Sequence, residues 1–185
     1  MNLGPKLVQK LFTKCYQLTE FNSNLICDSP QVCALVENVT PNILKLNLSG
    51  LRVKDQHVTT LVQRCNKITE LSLWNTSITN DSVNSIVENL NSLEKLDLGY
   101  NKIGLTTLLR LKLIPTLKTL CWFSHAGKED IEKIKNLKLQ LPHISINQPE
   151  DFVQIANPTK KVNGSIDWDW IWEIRAYQQD LFPRR

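Results

Sequence analysis

The chain has 185 residues, 42% hydrophobic, 22% charged and 7% aromatic, proportions that exclude a disordered tail or a collagen-like rod and leave enough apolar mass for a core. Lys plus Arg exceed Asp plus Glu by 22 to 18, a net +4 spread along the chain without a basic block, so nucleic acid is not an expected partner. No apolar run reaches the roughly 18 residues that a bilayer span needs, so no membrane partner is expected either. The start MNLGPKLVQK is broken by Lys6 and Lys10 too soon for a secretory core.

The first predicted element is a helix over residues 6–17. It reads as the outer helix of a repeat whose strand is missing, so residues 1–17 are either an N-terminal cap or the remnant of an upstream repeat. A mitochondrial leader is the other reading of this Lys-containing start, but the segment has no Arg. From Leu18 an apolar triplet spaced L-x-x-L-x-L recurs as Leu18/Phe21/Ser23, Ile43/Leu46/Leu48, Ile68/Leu71/Leu73, Leu93/Leu96/Leu98, Leu117/Leu120/Trp122 and Leu141/Ile144/Ile146. The first members lie 25, 25, 25, 24 and 24 residues apart. A period of about 20–29 residues with this triplet marks a leucine-rich repeat, one short strand and one outer helix per unit, each unit burying its apolar face only when a neighbour stacks on it. The expectation is therefore an α/β leucine-rich-repeat solenoid over residues 18–147, about six repeats, with parallel strands on the concave face and helices on the convex face. Between triplets, Val58/Leu61/Val62, Val83/Ile86/Val87 and Leu108/Leu111 fall at helical spacing after Asp55, Asp81 and Thr106, residues suited to start a helix. Cys15 and Cys65 close two such helices and read as small core residues.

With the triplets pointing inward, the residues two, four and six positions after each first member line up on the concave surface. The columns are Glu20, Lys45, Glu70, Lys95, Thr119 and His143; Asn22, Asn47, Ser72, Asp97, Cys121 and Ser145; and Asn24, Ser49, Trp74, Gly99, Phe123 and Asn147. Large aromatics facing solvent call for cover, by a partner or by the chain itself. Glu70, Ser72, Trp74, Lys95, Asp97, Tyr100 and Phe123 are accordingly the candidate partner-binding residues.

Residues 148–185 leave the repeat and are read as a C-terminal tail packing on it. Trp168, Trp170 and Trp172 alternate with Asp169, Ile171 and Glu173 in an extended reading, while a helical reading pairs Trp168 with Trp172. They serve either as plain packing against the sheet or as a partner platform. No GxSxG, HExxH or GxGxxG motif occurs, and His57, His125 and His143 fall in different repeat positions, so no enzyme and no cofactor are expected. Five cysteines without a CxxC pair point to neither a disulfide frame nor a zinc site.

Several segments carry a resemblance: VTPNILKLNLSG, LVQRCNKITELSL, LEKLDL, IPTLKTLCWF, LPHISIN, IANPT and IWEIR. In this order, over roughly residues 39–175, the chain resembles the S-phase kinase-associated F-box protein family of substrate receptors, most specifically from Ile114 to Ile146. The resemblance implies a curved repeat domain with its tail running back along the concave face. It implies recognition of a phosphorylated cell-cycle regulator with a small cyclin-dependent-kinase subunit protein, delivery to a cullin ubiquitin ligase, and residence in nucleus and cytoplasm. Only about seventeen residues precede Leu18 where an F-box takes some forty, so direct binding of the cullin adaptor by these 185 residues is not expected. The WDWIW run departs from the family pattern. The rival reading is a repeat scaffold or assembly factor without a ubiquitin connection.

Overall fold

The computed structural model describes residues 4–22, 29–123, 130–147, 161–162 and 165–166. Strands and helices alternate as α1 (Pro5–Lys14), β1 (Glu20–Asn22), α2 (Ser29–Asn38), β2 (Lys45–Asn47), α3 (Asp55–Arg64), β3 (Glu70–Ser72), α4 (Asn80–Asn89), β4 (Lys95–Asp97), α5 (Leu105–Leu108), β5 (Thr119–Cys121), α6 (Asp130–Gln140) and β6 (Ser145–Ile146). A 3-10 segment, Leu109–Leu113, extends α5. The six strands form one parallel sheet in chain order, the leucine-rich-repeat solenoid that the period requires. A separate antiparallel pair joins β7 (Lys161–Val162) to β8 (Ser165–Ile166).

The triplets set the core. Leu46, Leu71, Leu96 and Leu120 are cross-strand partners in register, and each is buried together with Leu48, Leu73, Leu98 and Trp122. Burying one such side chain contributes about 1.5–3 kcal/mol. Val58, Leu61 and Val62 of α3 and Val83, Ile86 and Val87 of α4 close the core from the helical side. At the start of the chain, α1 buries Val8 and Phe12, and Phe12 meets Phe21 edge to face at 5.1 Å.

Beyond each strand the ladder runs on: Gly50, Asn75 and Tyr100 donate their N–H groups to the carbonyls of Trp74, Gly99 and Phe123 at 2.7–2.8 Å. All three take a left-handed backbone, with φ of 70°, 49° and 57°. Glycine and asparagine accept this conformation readily, whereas a tyrosine is held there at a cost of about 1–2 kcal/mol. Directly after Tyr100, Asn101 is buried and its amide donates to the carbonyls of Leu73, Leu98 and Gly99. Its Oδ1 accepts from the N–H and hydroxyl of Thr76. This one side chain closes the turn of its own repeat and ties it to the one before.

Helix starts are capped across repeats. Asp55, expected to start its own helix, sits at the first helical position of α3 and accepts instead from the N–H and hydroxyl of both Thr79 and Ser82 at the start of α4. Asn80 repeats the arrangement one step on, accepting the Gly104 N–H ahead of α5 at 2.9 Å.

The last repeat corrects the expected register. Its strand pairs Thr119 with Ser145 and Leu120 with Ile146, so the inward partner of Leu120 is Ile146, not Ile144, and Ser145 takes the column place expected of His143. The cause is the turn Leu141-Pro142-His143-Ile144, which repeats Ile114-Pro115-Thr116-Leu117. Ile144 N–H bonds to the Leu141 carbonyl at 3.0 Å as Leu117 N–H bonds to that of Ile114 at 3.2 Å. Leu141 therefore ends a helix rather than beginning a triplet.

Candidate functional site

The concave face carries three rows of side chains, each row running across the strands. In the first, Glu20, Lys45, Glu70 and Lys95 alternate in charge and are ion-paired in sequence: Lys45 with Glu20 at 3.1 Å and with Glu70 at 3.7 Å, and Lys95 with Glu70 at 3.4 Å. The hydrogen bond to Glu20 and then the charge of Glu70 raise the Lys45 pKa above its ordinary value. Glu20, Lys45 and Lys95 are exposed and Glu70 is half-buried, so the ladder adds little to stability. What it does is fix the charge pattern offered to a visitor.

The second row is a polar relay. Asp97 accepts from the Gly99 N–H at 3.0 Å through Oδ1 and from the Ser72 hydroxyl at 2.8 Å through Oδ2. An ionised carboxylate only accepts, so Ser72 donates to it and in turn accepts from the Ser49 hydroxyl at 2.7 Å. The third row is aromatic. Tyr100 packs edge to face against Trp74, 5.6 Å between ring centroids, and against Phe123 at 4.9 Å. Gly99 lies beneath: a Cβ there would come 2.7 Å from Trp74 Cδ1 and 3.1 Å from Phe123 Cε1. The absence of a side chain at 99 is what lets the rings close.

The strand alternation puts these aromatics at positions that call for cover, and in the structure Trp74 and Phe123 are buried and Tyr100 is half-buried. Cys121, assigned to the second concave row, is buried as well. Of the candidate residues, the structure gathers Trp74, Tyr100 and Phe123 into one cluster, joins Ser72 to Asp97, and pairs Glu70 with Lys95. Trp168, Trp170 and Trp172 lie outside the described residues, as do Cys27 and His125.

Sequence reading missed Asn101 and the partner of His57. His57 is buried, accepts the Lys54 N–H on Nδ1 at 3.0 Å, and so carries its proton on Nε2, 3.3 Å from the Cys33 sulfur. Burial, then the Lys54 charge, push its pKa down, with Glu37 opposing. It is a satisfied core histidine. Among the described residues no cluster of three or more His, Cys, Asp or Glu could hold a metal ion, and no helix is long and apolar enough to cross a membrane.

Comparison with known families matches residues 2–179 to the SKP2 LRR domain. Among solved structures, the actin-binding site 2 of leiomodin-1 is similar, with a TM-score of 0.50 at 18% identity, covering 80% of this chain and 92% of that one. At that identity the likeness is one of fold.

Proposed function

The chain belongs to the SKP2 leucine-rich-repeat domain family and is a protein-binding repeat module; from that premise we propose that it is the substrate-recognition part of a cullin-type ubiquitin ligase receptor. The observation that carries the reading is the family match across nearly the whole chain. The concave face is the proposed contact surface through Glu70, Ser72, Lys95, Asp97 and the half-buried Tyr100, with the buried Trp74 and Phe123 holding the Tyr100 ring, and the tail, residues 148–185 with Trp168, Trp170 and Trp172, is proposed to cover it. Its partners are a small cyclin-dependent-kinase subunit protein and a phosphorylated cell-cycle regulator, met in nucleus and cytoplasm. Binding, without chemistry, is its role.

The test is capture. A fusion of an F-box to these 185 residues is expected to bind the cullin adaptor and, together with the small kinase-subunit protein, to direct ubiquitin onto a phosphorylated regulator, while residues 1–185 alone bind no adaptor at micromolar concentration. A fusion that holds the adaptor yet recruits neither kinase subunit nor phosphorylated regulator contradicts the proposal, and adaptor binding by the unfused chain contradicts the expectation that these 185 residues do not hold the adaptor.

A further inference from the structure

The charge ladder stops short. Along the first concave row the signs run Glu20, Lys45, Glu70, Lys95, and each cation before the end stands between two acids: Lys45 has Glu20 on one side and Glu70 on the other. Among the described residues Lys95 has only Glu70, at 3.4 Å, and shares that carboxylate with Lys45. Where the alternation calls for the next acid, the register places Thr119 on β5 and then Ser145 on β6.

We propose that Lys95, Thr119 and Ser145 form a subsite for a carboxylate side chain on an extended acidic segment of the protein partner, which supplies the missing acid of the ladder. This rests on the concave face being the partner surface. Three observations point the same way. The Lys95 side chain is 49% exposed, and its ammonium has three donors against one shared acceptor. Among the described residues, neither the Thr119 nor the Ser145 hydroxyl has a hydrogen-bond partner, in contrast to the Ser72 hydroxyl in the second row, which bonds both Ser49 and Asp97. Neighbouring strands are about 4.8 Å apart, so one carboxylate seated over β5 is within reach of the ammonium on one side and of hydroxyls beneath and beyond. Charge-assisted bonds of that kind give register and selectivity.

The slip of the last strand is part of the site. With the expected register His143 would stand beside Thr119; the observed one brings in the Ser145 hydroxyl.

The experiment is an amide-resolved NMR titration of the full 185-residue chain with an acetylated, amidated Gly-Glu-Gly-Glu-Gly peptide, alongside its glutamine and phosphoserine counterparts. The glutamate peptide is expected to shift the Thr119 and Ser145 amides in a saturable way. Its Kd should rise about tenfold, equivalent to about 1.4 kcal/mol, in Lys95→Gln, and about threefold in Thr119→Val, with no change in Lys10→Gln on α1. Equal binding of the glutamine peptide, an unchanged Kd in Lys95→Gln, or shifts only with the phosphoserine peptide overturns the carboxylate subsite. Lys95 is at the surface, so that variant keeps the proposal testable even where Thr119→Val does not fold. A chain that captures the kinase-subunit protein but ignores the glutamate peptide loses this subsite and keeps the receptor reading. A chain that binds the peptide but captures no partner does the reverse.

Discussion

At the scale of single residues, stability turns on a few polar side chains that bridge repeats. Asp55 accepts four bonds from Thr79 and Ser82. Burial raises its pKa, but the bonds from Ser82 and Thr79 together outweigh burial and hold it below the usual 3.8. A carboxyl depressed on folding contributes stability that is full above its unfolded value and is lost as pH falls through the folded one. Asp55→Ala is therefore expected to lower unfolding free energy by about 1–3 kcal/mol at neutral pH, and the gap from the parent chain should narrow in urea melts below pH 4. A gap independent of pH contradicts the ionised cap. Gly99 acts through space rather than charge. Gly99→Ala drives a methyl into Trp74, so a loss of about 1–3 kcal/mol is expected, with altered tryptophan fluorescence as the aromatic cluster opens.

Elements follow from the triplet, and the triplet also shows where sequence reading ends. Leu71→Ala and Leu96→Ala each remove a buried inward residue, and a cost of about 2–5 kcal/mol in urea melts is expected; a neutral result at either would contradict the register. Lys45→Ala, in solvent, should leave the midpoint unmoved. The four triplets from Ile43 to Trp122 were legible because apolar spacing and burial coincide there. The sixth was not, because Leu141, Ile144 and Ile146 satisfy the same spacing while a proline turn consumes the first two. The signal lay in the sequence, as Leu141-Pro142-His143-Ile144 beside Ile114-Pro115-Thr116-Leu117, but it is a signal of backbone hydrogen bonding and not of hydrophobic period. Asn147 bears the result: it accepts the Trp122 N–H at 2.8 Å and donates to the Trp122 carbonyl. Asn147→Ala should cost about 1–3 kcal/mol.

The concave rows were legible as rows because alternation along a strand is fixed by backbone geometry. Their condition was not. Nothing in the spacing tells that Trp74 and Phe123 fold over a bare Gly99, or that Tyr100 holds a strained backbone between them; these depend on ring packing across three repeats.

On the scale of the whole molecule, a stack of six strands with alternating charge, a hydroxyl relay and an aromatic cluster gives one continuous surface, built from units that contact only their neighbours. The receptor reading assigns partner binding to that surface and its cover to the tail. Deleting residues 165–185 is then expected to lower the melting temperature, expose apolar surface to a hydrophobic dye and weaken capture of the small kinase-subunit protein. A truncated chain unchanged in melt and capture contradicts the tail's part. The most direct measurement of the central claim is calorimetric titration of the full chain with that kinase-subunit protein, comparing Glu70→Ala/Lys95→Ala on the concave face with Lys6→Ala/Lys10→Ala on α1. The account predicts at least a tenfold loss of affinity for the concave pair and none for the helical pair; full affinity in the concave variant, or loss confined to the helical one, would contradict it.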